Sequence, residues 1–137
     1  MAELAPRARV VIVERDRVAL IRRVRDGHTY YLFPGGGVEA GETPEAAARR
    51  EALEELGVEV ELGPIVHEES FGGTHFLYYD AWIVGGAFGT GSWPDHAVLS
   101  ARERERSGTH EPVWVPLADL RGRDVRPPAL AALLSPR

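Results

Sequence analysis

The chain has 137 residues, 44% of them apolar and 27% charged, which is enough for one domain with its own core and argues against wholesale disorder. It has no cysteine, and all 16 of its basic residues are Arg, so disulfides, thiolate zinc sites, a cysteine nucleophile, Schiff-base chemistry and a phosphate loop ending in Gly-Lys are excluded. Net charge is −5, but residues 39 to 69 hold ten acids against two Arg, whereas residues 1 to 38 hold seven Arg against four acids. An acidic middle suits cations better than a nucleic-acid backbone, whose binding rests on a basic face.

The lack of Lys, Asn and Gln beside abundant Ala, Gly, Pro and Arg is the pattern of GC-rich codon use and carries no mechanism. The first twenty residues include Glu3, Arg7, Arg9, Glu14, Arg15 and Asp16 and lack the apolar run of a signal peptide. The most apolar stretch, Ala81 to Phe88, is far shorter than the roughly 20 residues of a spanning helix. A cytoplasmic protein without membrane contact is the expectation.

In chain order, Arg9 to Glu14 and Arg17 to Val24 are rich in β-branched residues and read as two strands about a polar turn. Tyr30 to Phe33 is a short strand ended by Pro34, and Gly35-Gly36-Gly37 reads as a backbone-rich loop. Thr43-Pro44 is a helix start, with a hydroxyl at the N-cap and proline at the first helical position, and Gly57 is the stop. Ala46, Ala52, Leu53 and Leu56 give that helix an apolar stripe. Val58 to Leu62, Ile65 to Phe71 and Phe76 to Val84 read as strands, and 85 to 94 as a loop. Residues 97 to 106 fit either a short helix or an irregular segment. Pro112 to Val115 is a strand, Leu117 to Leu120 a turn of helix, and Pro128 to Leu134 a terminal helix packing Leu130, Leu133 and Leu134. No repeat or linker divides the chain, so residues 1–137 are expected to form a single domain with a mixed sheet covered by helices.

Glu51, Glu54 and Glu55 occupy i, i+3 and i+4 of the first helix, so their carboxylates share one side of it. Hard oxygen donors in this number suit magnesium or manganese, which divide their shell between a few carboxylates and substrate phosphates. The three acids also sit in the last turns, where the helix dipole and their mutual repulsion cost on the order of 1–2 kcal/mol. A bound cation would offset this, and so would water. On these three residues alone a solvated surface is the commoner outcome.

The wider pattern is specific. Gly36, five residues, Glu42, seven residues, then Arg50-Glu51-Ala52-Leu53-Glu54-Glu55-Leu56-Gly57-Val58 resembles the signature box of the Nudix hydrolases. Ala52 is the one departure, standing where the family prefers a larger aliphatic residue. Tyr31-Leu32-Phe33-Pro34-Gly35-Gly36 and Trp114-Val115-Pro116-Leu117 resemble family features more weakly. The resemblance implies an α/β/α sandwich with a mixed β-sheet between helices, and a loop-helix-loop that binds a divalent metal, Mg2+ or Mn2+. It makes Glu51, Glu54 and Glu55 carboxylate ligands and the Gly36 carbonyl a backbone ligand, with Glu42 and Arg50 in support. The glycines at 35 to 37 let backbone approach a metal or a phosphate. The implied reaction is hydrolysis of a diphosphate linkage in a nucleoside diphosphate derivative, with Glu55 as one candidate general base and Glu103, Glu105 and Glu111 as alternatives outside the box.

Substrate contacts are less clear in the sequence. Arg22 and Arg23 point to opposite faces of a strand end, so one of them could meet a phosphate, though a solvated strand end is the commoner case. Tyr31 could stack on a base or lie buried beside the sheet. The five His (28, 67, 75, 96 and 110) show no ligand spacing, Ser92 lacks the glycine that a nucleophile elbow needs after it, and the Arg-Glu run at 102 to 106 is most simply a solvated segment. The expected partner is a small nucleotide derivative, with nucleic acid admitted only as an RNA end, and a homodimer is the common prior for small soluble enzymes. A Nudix-fold sensor that binds a nucleotide without cleaving it is the rival reading. It is disfavoured because Glu42, Arg50, Glu51, Glu54 and Glu55 are all present. An isomerase of allylic diphosphates on the same fold would want a cysteine.

Overall fold

The computed structural model describes residues 5–91 and 108–136. They form an α/β protein in chain order β1 (Arg7–Glu14), β2 (Arg17–Arg25), β3 (His28–Leu32), β4 (Gly35–Gly37), α1 (Pro44–Leu56), β5 (Val58–Phe71), β6 (Thr74–Gly86), β7 (Glu111–Pro116), a 3-10 turn (Leu117–Gly122), β8 (Val125–Arg126) and α2 (Pro128–Leu134). Two compact units are distinguished, one comprising the described residues up to 13 together with 34–91, the other 14–33 together with 108–136.

In the first unit the strand order is β5-β6-β1-β4, with β1 parallel to β6 and the other neighbours antiparallel. The alternation of β1 sends Ala8, Val10 and Ile12 into a fully buried layer, while Val11 on the opposite face is buried too, so the middle of the strand is covered on both faces. Helix α1 packs against β5, β4 and β6. Its ends are set by local chemistry: the Thr43 hydroxyl accepts the Ala46 N–H at 3.1 Å, Pro44 opens the first turn, and Gly57 closes it at φ 80°, a conformation that only glycine adopts without strain. The chain after β6 then satisfies carbonyls left over at the helix end. Ala87 N–H donates to Gly57 O at 3.1 Å and Gly89 N–H to Leu56 O at 2.8 Å.

Three details differ from the sequence reading. Gly35 to Gly37 is a strand rather than a loop, pairing Gly35 with Arg9, Gly36 with Ala8 and Gly37 with Arg7. At Gly35 the backbone of β1 comes too close for a side chain, at Gly36 the end of the Glu51 side chain occupies the space, and Gly37 is open. Strand β5 runs unbroken through Gly63-Pro64, which the ladder absorbs as register shifts between Leu62 and Ile65 and between Ile65 and His67. The buried side of α1 is Ala47, Ala48, Ala52, Glu55 and Leu56, while Leu53 is 50% exposed. The helix is turned so that Glu55 and Leu56, not Leu53, face inward.

The second unit has strand order β7-β2-β3-β8, antiparallel except for β3 with β8. Val18, Ala19, Leu20 and Ile21 are all buried, the continuous apolar run of a strand covered on both faces. β8 is only two residues long and was not anticipated. Helix α2 has the expected limits and packs on the 3-10 turn and β8, but it buries Leu130 and Ala131 and leaves Leu133 exposed. The segment 97–106, with Glu103 and Glu105, lies outside the described residues, as do Ser92 and His96.

Candidate active site

The first unit gathers Glu42, from the loop before α1, and Glu51 and Glu54 of α1 around one guanidinium. Arg50 Nε donates to Glu42 Oε2 at 2.8 Å and Nη2 to Glu42 Oε1 at 3.0 Å, a two-pronged pair. Nη2 also reaches the Gly37 carbonyl at 3.0 Å, and Nη1 reaches Glu51 Oε1 at 3.1 Å and Glu54 Oε2 at 3.3 Å. Arg50 thus ties the glycine strand, the loop before α1 and two turns of α1 together. Glu42 additionally accepts the Glu39 N–H at 3.0 Å. The Arg50 hydrogen bonds, then that backbone donor, hold the Glu42 carboxyl down at about 2, and the same pairing raises Arg50 above its ordinary value.

On the inward side of the helix, Glu55 is 9% exposed and its Oε2 accepts the Gly35 N–H at 2.9 Å. Burial first, against the Gly35 hydrogen bond and helped by the neighbouring Glu51 carboxylate, pushes the Glu55 carboxyl up to about 8. Glu51 is the neighbouring acid whose charge, after burial, raises the Glu55 carboxyl, so the two form a pair. The pair faces the backbone of Gly36: a Cβ there would stand 2.5 Å from Glu51 Oε1 and 2.7 Å from its Cδ. Glu54 is drawn instead to Arg50. Accordingly, no three acidic or histidine side chains among the described residues already stand as a closed metal shell. The donor chemistry nevertheless fits a hard cation. Two adjacent carboxylates, one of them almost wholly withdrawn from water, repel each other when ionised, and a divalent ion relieves that repulsion with oxygen ligands alone.

One residue of this group was missed by the sequence reading. Arg9 on β1 interacts electrostatically with Glu55 and Glu51, and its guanidinium lies 5.7 Å from the Phe76 ring centre. Burial lowers its pKa from the ordinary arginine value. The available signal was an Arg directly before the apolar run Val10 to Val13. The outer side of α1 borders a cleft of about 350 Å³ lined by Arg49, Arg50, Leu53, Glu59, Val60, Glu61 and Val84.

Arg22, Arg23, Tyr31 and Glu111 belong to the second unit, and each has a partner there. Arg22 pairs across the strands with Glu111 at 3.4 Å, with both side chains exposed. Arg23 Nε donates to the Thr109 carbonyl at 3.3 Å and stacks over Tyr30 at 5.8 Å. Tyr31 is buried, and its hydroxyl accepts from Arg123 at 2.9 Å. Among the histidines, His28, His67 and His75 each pair with a single carboxylate, at 2.7, 2.8 and 3.0 Å.

Comparison with known proteins places this geometry in context. A family model of the NUDIX domain matches residues 4–133. The RNA pyrophosphohydrolase of Caulobacter vibrioides is 52% identical over 55 residues, which are 39% of this chain and 32% of that protein. The 8-oxo-dGTP diphosphatase of Escherichia coli (strain K12) is 45% identical over 47 residues, 33% of this chain and 36% of that protein. The chain therefore spans about a third of the length of the curated relatives it matches. A NUDIX-family hydrolase from Clostridium perfringens superposes with a TM-score of 0.69 at 20% identity, covering 97% of both chains. At that identity the likeness shows a shared fold.

Proposed function

The chain belongs to the NUDIX domain family, and from that premise we propose that it is a hydrolase, a single catalytic domain that cleaves a diphosphate linkage in a nucleoside diphosphate derivative with the help of Mg2+ or Mn2+. The observation that carries the reading is the buried Glu55 carboxyl set beside Glu51 against the Gly35-Gly36 backbone. In this reading Glu51, Glu54 and Glu55 would hold the cation, with the Gly36 carbonyl as a backbone ligand. When bound, the ion neutralises charge building on the phosphoryl oxygens and acidifies water. Arg50 keeps the Glu51 and Glu54 carboxylates at the same end of the helix and fastens Glu42 to it. Water attacks one phosphorus as the anhydride P–O bond breaks, and a carboxylate takes the water proton. Glu55 is the candidate base in this unit, with Glu103, Glu105 and Glu111 as alternatives.

The matched relatives are named for a nucleoside triphosphate and for RNA ends, which makes small nucleotide derivatives and an RNA terminus the classes to assay. Gly37, half-buried beside Arg50 in the first unit, is proposed to meet the substrate, whereas Tyr31 is buried with its hydroxyl on Arg123 and is not. No helix among the described residues is long and apolar enough to cross a membrane. The test is phosphate release over a nucleotide panel, with and without Mg2+, comparing the parent with Glu55→Gln and Glu111→Gln. Turnover that needs Mg2+ and is lost in Glu55→Gln is expected. Nucleotide binding with no metal-dependent turnover of any compound would overturn the enzyme in favour of a sensor.

A further inference from the structure

Ala8, Val10 and Ile12 alternate into the apolar layer, which assigns Arg9 to the other side of β1. In register it stands between Tyr78 on β6 and Gly35 on β4. Gly35 lies flat against β1: a Cβ there would run into the Ala8 carbonyl oxygen first, then stand 2.5 Å from Arg9 Cα and 2.6 Å from Arg9 Cγ. The stem of Arg9 is therefore packed under the glycine whose N–H holds Glu55 at 2.9 Å. Besides burial, the charges acting on its head include those of Tyr78, Glu55, Arg7 and Glu51. A guanidinium keeps its charge even when desolvated.

We propose that Arg9 is a positioning residue that sets how tightly the Glu51–Glu55 pair holds a divalent cation, by keeping a resident positive charge beside it. This rests on the metal reading of the pair given above. The resident charge weakens binding of every cation at the pair, proton and metal ion alike. A doubly charged ion responds twice as strongly to a given potential as the single proton it displaces. Removing Arg9 therefore favours the metal on balance, even where a proton must leave. The same charge favours an oligophosphate, whose negative oxygens offset it. Arg9 thus shifts ion loading toward the moment when the nucleotide is present.

The test is calorimetric titration of the full chain with Mn2+ alone, at one pH and low salt, for the parent, Arg9→Met and Arg9→Lys. Met retains an unbranched stem under Gly35, and Lys retains the charge. Arg9→Met is expected to bind Mn2+ at least about fivefold more tightly than the parent, with Arg9→Lys within about twofold of it. A merely structural role for Arg9 would loosen the pair and weaken binding. An Arg9→Met affinity equal to or below the parent's overturns the inference, and Arg9→Gln is judged by the same criterion if Arg9→Met does not fold. A parent that takes up no Mn2+ at all overturns the metal reading itself, which is a separate outcome.

Discussion

Substituting alanine at Gly36 and at Gly57 separates a glycine that makes room for a functional group from one that shapes the backbone. Gly36 has no left-handed φ, and a Cβ there meets only the end of the Glu51 side chain, 2.5 Å from Oε1. That carboxylate can turn away, so Gly36→Ala is expected to cost no more than about 1 kcal/mol. Gly57 stands at φ 80° and a Cβ there would lie 2.7 Å from the Gly91 amide nitrogen. Left-handed strain of about 1–2 kcal/mol and overpacking of about 1–3 kcal/mol give roughly 2–5 kcal/mol for Gly57→Ala. An unfolding entropy of about 2.1 cal/mol/K per residue over 137 residues converts each kcal/mol into roughly 3.5 °C of Tm. Gly36→Ala should therefore melt within about 4 °C of the parent, and Gly57→Ala about 7–17 °C below it, in metal-free thermal denaturation followed by circular dichroism. Displacing Glu51 should also weaken Mn2+ binding by Gly36→Ala about tenfold or more. Parent-like Mn2+ affinity in Gly36→Ala, or a loss of Tm as large as that of Gly57→Ala, would refute the reasoning.

Thr43→Ala removes the cap hydrogen bond to Ala46 and should lower stability by about 1 kcal/mol in denaturant titration. Because pairing with Arg50 depresses the Glu42 carboxyl to about 2, its contribution is fully present above the ordinary glutamate value of 4.5 and is lost as pH falls through the lower value. Arg50→Gln should accordingly flatten the acid limb of a stability profile taken from pH 5 down to 2.5. Glu55 has the opposite sign: its folded pKa is raised to about 8, so the metal-free parent should lose stability as pH rises from about 4.5 to 8. Chelator-treated Glu55→Gln should lack that slope, and an unchanged slope would show that Glu55 is not its source.

What the sequence made legible was local. The limits of α1 follow from Thr43, Pro44 and Gly57, whose effects act within a few residues, and the spacing of Glu42, Arg50, Glu51, Glu54 and Glu55 is carried by one loop and one helix. Features that depend on distant partners were not legible. Gly35 to Gly37 looks like a loop until β1 is placed beside it, and the two residues of β8 pair only because β3 is there. The rotation of α1 that buries Glu55 and exposes Leu53 runs against hydrophobicity, because the backbone N–H of Gly35 supplies the inward carboxylate with a hydrogen bond. Arg9 was missed for the same reason: its significance lies in a register contact with a glycine 26 positions along the chain.

The most direct measurement is an anomalous difference map from a crystal of the full chain soaked in Mn2+. The account predicts a peak bounded by the carboxylates of Glu51 and Glu55 and the carbonyl of Gly36, with Glu54 swung from Arg50 toward it. A Mn2+ peak elsewhere on the protein, with that position empty, would contradict it.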